Sequence, residues 1–349
     1  MATRRGKGLW TDHKIPGANG LTLQGVFNKE RNVPPGGSGQ KSGQGPPNRK
    51  GRCMALKDYL LVTRPWSFTM SLISVSVGTL VAAEDGELLW GWYLLTLLGM
   101  VCFHAAANVL NDYFDTGYGI DRPDSPTVHY RPQALVSGLL TPRQVMTEAV
   151  VFLAVTALIG LVMAYARTWH VLWIGLTGVL VGVFYTAGPI KLKYRALGEL
   201  AVFLIWGPLM VEGAYAVQRQ ALSLKALYLS VPFGILVALV LFANNMRDIA
   251  YDARQNIKTL GILLGREGSF VLFAGLIVAA YLYVLGMVAL DVMGLWGLMI
   301  FLSLPKAWSL LRSFRREIPD AADALTAQFD TIFGILLMAA LFLDWVRLL

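Results

Sequence analysis

Long stretches with almost no charge dominate this chain and decide what it can fold into. A helix that crosses the hydrocarbon layer of a membrane needs about 20 consecutive, mostly apolar residues. On that basis the 349 residues predict nine spans, near 64–83, 89–110, 145–166, 169–187, 197–217, 227–246, 269–290, 292–311 and 325–346. Only 15% of the residues are charged, whereas soluble proteins have about 25%. The sequence therefore predicts an all-α protein dissolved in a lipid bilayer.

The first 52 residues differ from the rest in composition. They hold ten Lys or Arg against Asp12 and Glu30, and they are rich in Gly, Pro, Asn and Gln. The net charge of +8 belongs to this segment, because the remaining chain has as many acidic as basic residues. Such a segment has too few apolar residues to form a core. We predict a disordered, basic cytoplasmic tail over 1–52, a membrane domain over 53–349, and no nucleic-acid partner.

The distribution of Lys and Arg predicts which ends of the spans face the cytoplasm, because short cytoplasmic loops carry an excess of these residues. With the N-terminus inside, all but four of the 30 Lys and Arg fall on the inner side; the four are Arg167, Arg219, Lys225 and Arg347. We therefore expect a multi-pass membrane protein with its N-terminus in the cytoplasm. We take the membrane to be a bacterial cytoplasmic membrane.

Two acidic motifs lie at the predicted inner ends of spans two and six. The first contains Asn108, Asn111, Asp112, Asp115 and Asp121, and the second contains Asn244, Arg247, Asp248 and Asp252. Residues three or four apart share one face of a helix, so each motif forms a polar stripe. Carboxylates at membrane depth are costly unless a cation compensates them. The simpler alternative, that these residues only end helices at the interface, accounts poorly for the repetition.

The repetition also predicts the architecture and the ligand. We expect two four-helix halves plus a ninth helix around a central cavity, with the site between the halves. Mg²⁺ takes oxygen ligands, commonly one or two carboxylates together with substrate phosphates. Two acidic stripes that face one cavity are thus suited to hold a diphosphate through Mg²⁺.

Several basic residues are candidates for contact with the diphosphate oxygens. Three of them follow span four at alternate positions, two belong to the second motif, and one precedes span one: Lys191, Lys193, Arg195, Arg247, Lys258 and Arg64. The excess of positive charge on inner loops is the competing explanation for the first three. His104, one turn before Asn108, is read as a packed, hydrogen-bonded residue rather than a ligand.

At these motifs the chain resembles the UbiA superfamily of intramembrane aromatic prenyltransferases. The resemblance covers roughly residues 57–346, and its motifs are NDYFDTGYGID at 111–121, YTAGPIKLKYRALGEL at 185–200 and NNMRDIAYDARQNIKTL at 244–260. It implies nine helices around a cavity with the active site near the cytoplasmic face. In one departure, Gly119 stands where the family pattern has its last acidic residue, and Asp121 takes that role.

The resemblance also implies roles for the candidate residues. Asp112, Asp115 and Asp121 with Asn111 would hold one Mg²⁺, and Asp248 with Asp252 the other. Asp112, Asp115, Asp248, Asp252 and Arg247 would be catalytic. Asn108, Asn244 and Tyr185 would support the site or lie on the acceptor side.

The expected reaction is Mg²⁺-dependent transfer of a polyprenyl group from an allylic diphosphate to an aromatic acceptor. The shifted acidic residue and the form of the second motif resemble the menaquinone-pathway branch, whose acceptor is 1,4-dihydroxy-2-naphthoate and which releases CO₂. Residues 130–138 are less typical of that branch. The alternatives are 4-hydroxybenzoate or another phenolic acceptor, a secondary transporter, or an inactive membrane scaffold.

Overall fold

The computed structural model describes residues 56–131, 133–255 and 257–348. The predicted tail, 1–52, lies outside the described residues. Within them the chain is helical, and the α-helices in order are α1 Leu56–Thr63, α2 Phe68–Glu84, α3 Trp90–Gly117, α4 Pro126–Tyr130, α5 Pro142–Ala166, α6 Trp169–Thr186, α7 Gly198–Leu204, α8 Met210–Arg219, α9 Leu224–Arg247, α10 Ile249–Asp252, α11 Leu260–Ala289, α12 Leu304–Arg316 and α13 Ala322–Leu348.

Eight helical segments in the described part are long and apolar enough to cross a membrane. They correspond to the first seven predicted spans and the ninth, with α1 and α2 forming one segment and α7 and α8 another. A π-helical turn, Ile205–Leu209, joins α7 to α8. The all-helical membrane fold is therefore confirmed.

The predicted eighth span, 292–311, has a different structure. Leu295–Ser303 is a 3₁₀-helix, and α12 follows it as a short helix with Arg315 and Arg316 in its last turn. Pro305 lies in the first turn of α12, where its missing N–H is tolerated. The count of nine spans stays a prediction.

A core of large apolar side chains forms where α2, α8, α9, α11 and α13 meet. Six of its phenylalanines are fully buried: Phe233, Phe242, Phe273, Phe314, Phe329 and Phe333. Small residues bring the helices close, as membrane helices often require. At Gly78, for example, a side chain on α2 would collide with the Val211 carbonyl oxygen on α8. This packing fixes α2, α3 and α9 around a cavity between them.

Candidate active site

One cavity of about 270 Å³ is lined by residues of both acidic motifs. The first motif contributes Asn108, Asn111, Asp115 and Asp121, and the second contributes Asn244, Asn245, Asp248 and Asp252. Arg64, Lys193 and Tyr185 line the same space. A larger and more open depression, of about 740 Å³, lies along 309–320 and contains no residue of either motif. The 270 Å³ cavity is therefore the candidate active site.

The first motif is held by basic and phenolic side chains from elsewhere in the chain. Asp115 is only 2% exposed, and it accepts hydrogen bonds from Lys193 Nζ at 2.5 Å and from the Tyr194 hydroxyl. Lys193 Nζ also donates to Asn111 Oδ1 at 3.1 Å. Asp112 forms an ion pair with Arg64. The loop after α6 and the start of the first span thus meet at the end of α3.

The turn after α3 accounts for the displaced acidic residue. Gly119 has φ +71°, a left-handed conformation that glycine adopts without the steric cost of a side chain. The backbone N–H groups of Ile120 and Asp121 then both bond to the Asp115 carbonyl oxygen, at 2.9 and 3.2 Å. The turn returns the chain to the cavity at Asp121. An acidic residue at 119 would be strained, and Asp121 occupies the wall instead.

Arg247 organises the second motif at the end of α9. Its guanidinium donates to both carboxylate oxygens of Asp248, at 2.7 and 2.6 Å, and to Asn244 Oδ1 at 2.7 Å. It also donates to the Asp320 carbonyl oxygen at 3.0 Å and to Thr127 Oγ1 at 3.1 Å. Bidentate pairing of this kind fixes the geometry of a carboxylate. Arg247 therefore ties the motif to α4 and to the loop before α13.

The two motifs interact electrostatically. Burial, followed by the Asp115 and Asp112 carboxylates, raises the pKa of Asp121 to about 7. Burial and the Asp248 carboxylate raise the pKa of Asp252 to about 7, with a smaller contribution from Asp115. Asp115 thus acts on carboxylates of both motifs. For Lys193, burial lowers the pKa, but Asp115 and its neighbours outweigh burial and leave the pKa raised.

The donor set suits a hard divalent cation. In the part of the chain that the structure describes, no group of three His, Cys, Asp or Glu is close enough to hold a metal ion alone. Burial, together with the neighbouring carboxylates, nevertheless raises the pKa of Asp121 and of Asp252, and a bound cation would compensate the ionised form of both. Carboxylate and amide oxygens with substrate phosphates are the usual ligands of Mg²⁺. The residues therefore fit a metal that shares its ligands with a bound diphosphate.

Some predicted diphosphate ligands lie outside the cavity wall. The ammonium group of Lys191 lies over the Tyr118 ring, 3.6 Å from its centroid. Arg195 is exposed and donates to the Pro189 carbonyl oxygen at 3.3 Å. The exposed Lys258 is joined to the Lys193 loop through its backbone, which bonds to the Tyr194 carbonyl oxygen at 3.2 Å and to the Ala196 N–H at 2.8 Å.

The site also contains residues that sequence reasoning did not select. Tyr194 contacts Asp115, and the Tyr251 hydroxyl donates to the Ile120 carbonyl oxygen at 2.7 Å, which links the second motif to the turn after the first. Both tyrosines lie inside the quoted motifs, so their positions beside Lys193 and Asp252 were an available signal. Thr127, which accepts from Arg247, carried none. His104 is buried between two serine hydroxyls, as a packed, hydrogen-bonded residue would be.

Two relatives resemble this chain along most of their length. The chain is 30% identical to the "1,4-dihydroxy-2-naphthoate octaprenyltransferase" of Bacillus subtilis (strain 168), over 82% of this chain and 92% of that protein. It is 33% identical to the "UbiA prenyltransferase domain-containing protein 1 homolog" of Drosophila melanogaster, over 85% of this chain and 82% of that protein.

Solved structures share the fold. A UbiA homolog from Aeropyrum pernix K1 matches with a TM-score of 0.63 at 17% identity, covering 79% of this chain and 97% of that one. A UbiA homolog from Archaeoglobus fulgidus bound to DMAPP and Mg²⁺ matches with a TM-score of 0.55 at 15% identity, covering 81% and 99%. The sequence profile of the UbiA prenyltransferase family matches residues 71–342. The chain belongs to the UbiA prenyltransferase family and is a multi-pass membrane enzyme that transfers polyprenyl groups.

Proposed function

We propose that this enzyme transfers the polyprenyl group of an allylic diphosphate to 1,4-dihydroxy-2-naphthoate, with Mg²⁺ as cofactor and with loss of CO₂, in quinone biosynthesis. The observation that carries the proposal is the meeting of both acidic motifs and Lys193 in one cavity. Further support comes from the named activity of the Bacillus relative and from archaeal homologs bound to DMAPP or GPP with Mg²⁺. The acceptor choice follows the relative and the motif form.

The charged end of the cavity would bind the diphosphate. Asp112, Asp115, Asp121 and Asn111 would hold one metal ion, and Asp248 with Asp252 the other. A bound Mg²⁺ neutralises charge that develops on the leaving diphosphate oxygens. Arg64 and Lys193 line the same wall and would contact the phosphate oxygens directly, which adds electrostatic stabilisation in a site of low dielectric constant. Arg247 would act by fixing Asp248.

The rest of the wall would shield the reacting carbon. Met70, Ile205, Val237, Val240 and Leu241 line the cavity together with Trp206, and apolar walls exclude the water that would otherwise capture an allylic cation. The ring carbon that bears the carboxylate would attack C1 of the prenyl group as the C1–O bond breaks. The electrons of the bond to the departing CO₂ then return to the ring. We place Tyr185 on the acceptor side of the wall.

We also propose that the cavity opens toward the cytoplasm of a bacterial cell, so that Mg²⁺ and the diphosphate head group meet it from that side. The excess of Lys and Arg on the loops that carry both motifs supports the orientation, and the Bacillus relative supports a bacterial cell.

The test uses purified protein in lipid with geranylgeranyl diphosphate, 1,4-dihydroxy-2-naphthoate and either Mg²⁺ or EDTA. Mass spectrometry should find a prenylated, decarboxylated naphthoquinol only with Mg²⁺, with CO₂ released in equal amount. Turnover with 4-hydroxybenzoate but not with the naphthoate would overturn the acceptor assignment. If neither acceptor supports release of diphosphate, the proposed reaction is wrong.

A further inference from the structure

We propose that Asn108 and His104 are positioning residues for Arg64. Acting through Ser67, they hold the backbone of Arg64 in the conformation from which its guanidinium meets the diphosphate. The inference rests on the proposed function, because it takes Arg64 as a ligand of the diphosphate. In this role Asn108 supports Arg64 rather than a metal ion, and the buried His104 contributes to ligand binding through Ser67.

Arg64 has an unusual backbone conformation. It sits between the end of α1 and a 3₁₀ turn, Pro65–Ser67, with φ 54° and ψ 62°. This left-handed conformation is unfavourable for a residue that carries a side chain. Such strain persists only where the surroundings enforce it, and it is concentrated at ligand-binding positions. Arg64 lines the cavity. Its conformation must therefore be enforced by the residues around it.

Hydrogen bonds hold the peptide groups on either side of the strained residue. The Arg64 carbonyl oxygen accepts from the Ser67 backbone N–H at 2.9 Å and from Ser67 Oγ at 2.8 Å. Asn108 Nδ2 donates to the Thr63 carbonyl oxygen at 2.9 Å and to Ser67 Oγ at 3.2 Å. One amide group of α3 therefore supports the residue before Arg64 and the serine that bonds to Arg64 itself. Asn108 Nδ2 is therefore bonded to the Thr63 backbone and to the Ser67 hydroxyl.

His104 completes the support. Ser67 Oγ lies 3.1 Å from His104 Nε2, and Ser71 Oγ lies 2.9 Å from Nδ1. The single proton of Ser67 Oγ goes to the Arg64 carbonyl oxygen, so Nε2 must be the donor to Ser67. Ser71 Oγ also accepts from Trp206 Nε1 at 3.3 Å. The bonding pattern assigns a proton to Nε2, and that N–H fixes the Ser67 hydroxyl.

The supported guanidinium retains a donor for an anion. Arg64 Nη2 pairs with Asp112, whereas Arg64 Nε is buried and has no hydrogen-bond acceptor among the residues that the structure describes. An unsatisfied buried donor is costly, and a guanidinium pairs well with phosphate oxygens. A diphosphate in the cavity that Arg64 lines would supply the acceptor. The network thus presents to the ligand a donor that the protein leaves unpaired.

A double-mutant cycle tests the proposal with Asn108→Ala, Arg64→Gln and the combined variant. The readouts are KM for geranylgeranyl diphosphate, KM for the acceptor, and the Kd of inorganic pyrophosphate with Mg²⁺. The Kd is followed by the change in intrinsic tryptophan fluorescence, to which Trp66 and Trp206 contribute because they line the cavity. We expect Asn108→Ala to raise KM for the diphosphate and Kd for pyrophosphate about tenfold, the size of one charge-assisted contact. KM for the acceptor should not change. In the Arg64→Gln background the same substitution should change either constant less than about twofold, because coupled residues are not additive.

A second variant separates positioning from simple packing. His104→Ala should reproduce the loss caused by Asn108→Ala, whereas His104→Gln should recover part of it, because its amide can still donate to Ser67. Thr177→Ala is the matched control. The Thr177 hydroxyl lies on α6, away from the cavity, and donates to the Trp173 carbonyl oxygen. This variant should leave all three constants at their wild-type values.

The outcomes distinguish this inference from the proposed function. If the enzyme forms product and the effects of Asn108→Ala and Arg64→Gln simply add, the positioning role is wrong and the proposed function stands. If Asn108→Ala raises the Mg²⁺ concentration needed for pyrophosphate binding in both Arg64 backgrounds, Asn108 is a metal ligand and the positioning role is overturned as well. If the wild-type protein forms no product with either acceptor, the proposed function is wrong, and the pyrophosphate cycle still reports whether the network positions Arg64.

Discussion

Lys193 Nζ donates to the Asp115 carboxylate at 2.5 Å across 78 residues of sequence. This contact joins the loop after α6 to the end of α3 at the centre of the cavity wall. The same ammonium group lowers the pKa of Asp121 and of Asp252, which belong to different motifs. Lys193 is therefore an electrostatic link between the two halves of the site.

Removal of Lys193 should move the pH dependence of the enzyme. Lys193→Met takes away a positive charge that lowers the pKa of Asp121 and Asp252, so both carboxyl groups should bind protons at higher pH. We expect the acidic limb of the kcat/KM profile to shift upward by about one pH unit, the shift that an adjacent opposite charge commonly produces. Arg195→Met, which removes an exposed charge from the same loop, is the control. An unshifted limb in Lys193→Met would show that neither carboxylate limits the rate.

Metal binding should strengthen as the pH rises through neutrality. Burial and neighbouring carboxylates raise the pKa of Asp121 and of Asp252 to about 7. Below that value both are largely protonated and compete poorly for a cation, and above it both are ionised. Titrations of Mg²⁺ against diphosphate release, from about pH 6 to about pH 8, should therefore give a falling half-saturating concentration. A concentration that does not change with pH would contradict the assignment of these residues as ligands.

Substitution of one carboxylate in either motif should stop the reaction. Asp112→Asn and Asp248→Asn keep the side-chain shape and remove the charge. We expect kcat to fall at least about a hundredfold in each, as when one electrostatic stabiliser of a transition state is lost. Thermal unfolding should show that both variants fold. The exposed Asp124, three residues after Asp121, supplies the control Asp124→Asn, which should keep near-normal turnover.

A carboxyl group in α13 should cost the protein stability. Asp330 is fully buried, and neither of its oxygens has a hydrogen-bond partner in the described part of the chain. A buried polar group without a partner costs about 1–3 kcal/mol, so Asp330→Leu, of similar shape, should raise the free energy of unfolding by about that amount. Thermal unfolding in detergent measures it. Phe333→Leu, which removes volume at the next turn, should lower the stability instead. A less stable or inactive Asp330→Leu protein would reveal a role for the carboxyl group.

Much of the fold follows from local sequence, because the length of an apolar run and the spacing of polar residues on a helix are local properties. The polar face of α3 that lines the cavity, with Asn108, Asn111 and Asp115, is predictable for that reason. The second stripe is not continuous, because α9 ends at Arg247 and Asp252 lies in the separate helix α10. The structure of the predicted eighth span is less predictable, because an α-helix and a 3₁₀-helix can accommodate the same apolar residues and differ only in backbone geometry. Leu295–Ser303 forms a 3₁₀-helix.

The contacts that complete the site depend on tertiary structure. Nothing near Asp115 in the sequence indicates that Lys193 and Tyr194 will meet it, and nothing near Tyr251 indicates the Ile120 carbonyl oxygen. The position of Asp121 depends on the left-handed conformation of Gly119. The spacing of the acidic residues alone shows only that Asp121 departs from the family pattern. The tail and the internal duplication stay predictions.

The cavity wall draws its charges from segments that leave the ribosome far apart in time. When α3 has been synthesised, Asp115 exists but Lys193 does not, and Asp248 follows only after four more segments long enough to cross the membrane. Until the loop after α6 has been made, Asp115 therefore lacks its Lys193 partner, although Asp112 can already pair with Arg64. Both proposed metal sites are complete only once α9 and α10 have been made. Acquisition of the ligand by a nascent chain would accordingly mark the moment at which the two parts of the membrane domain have docked.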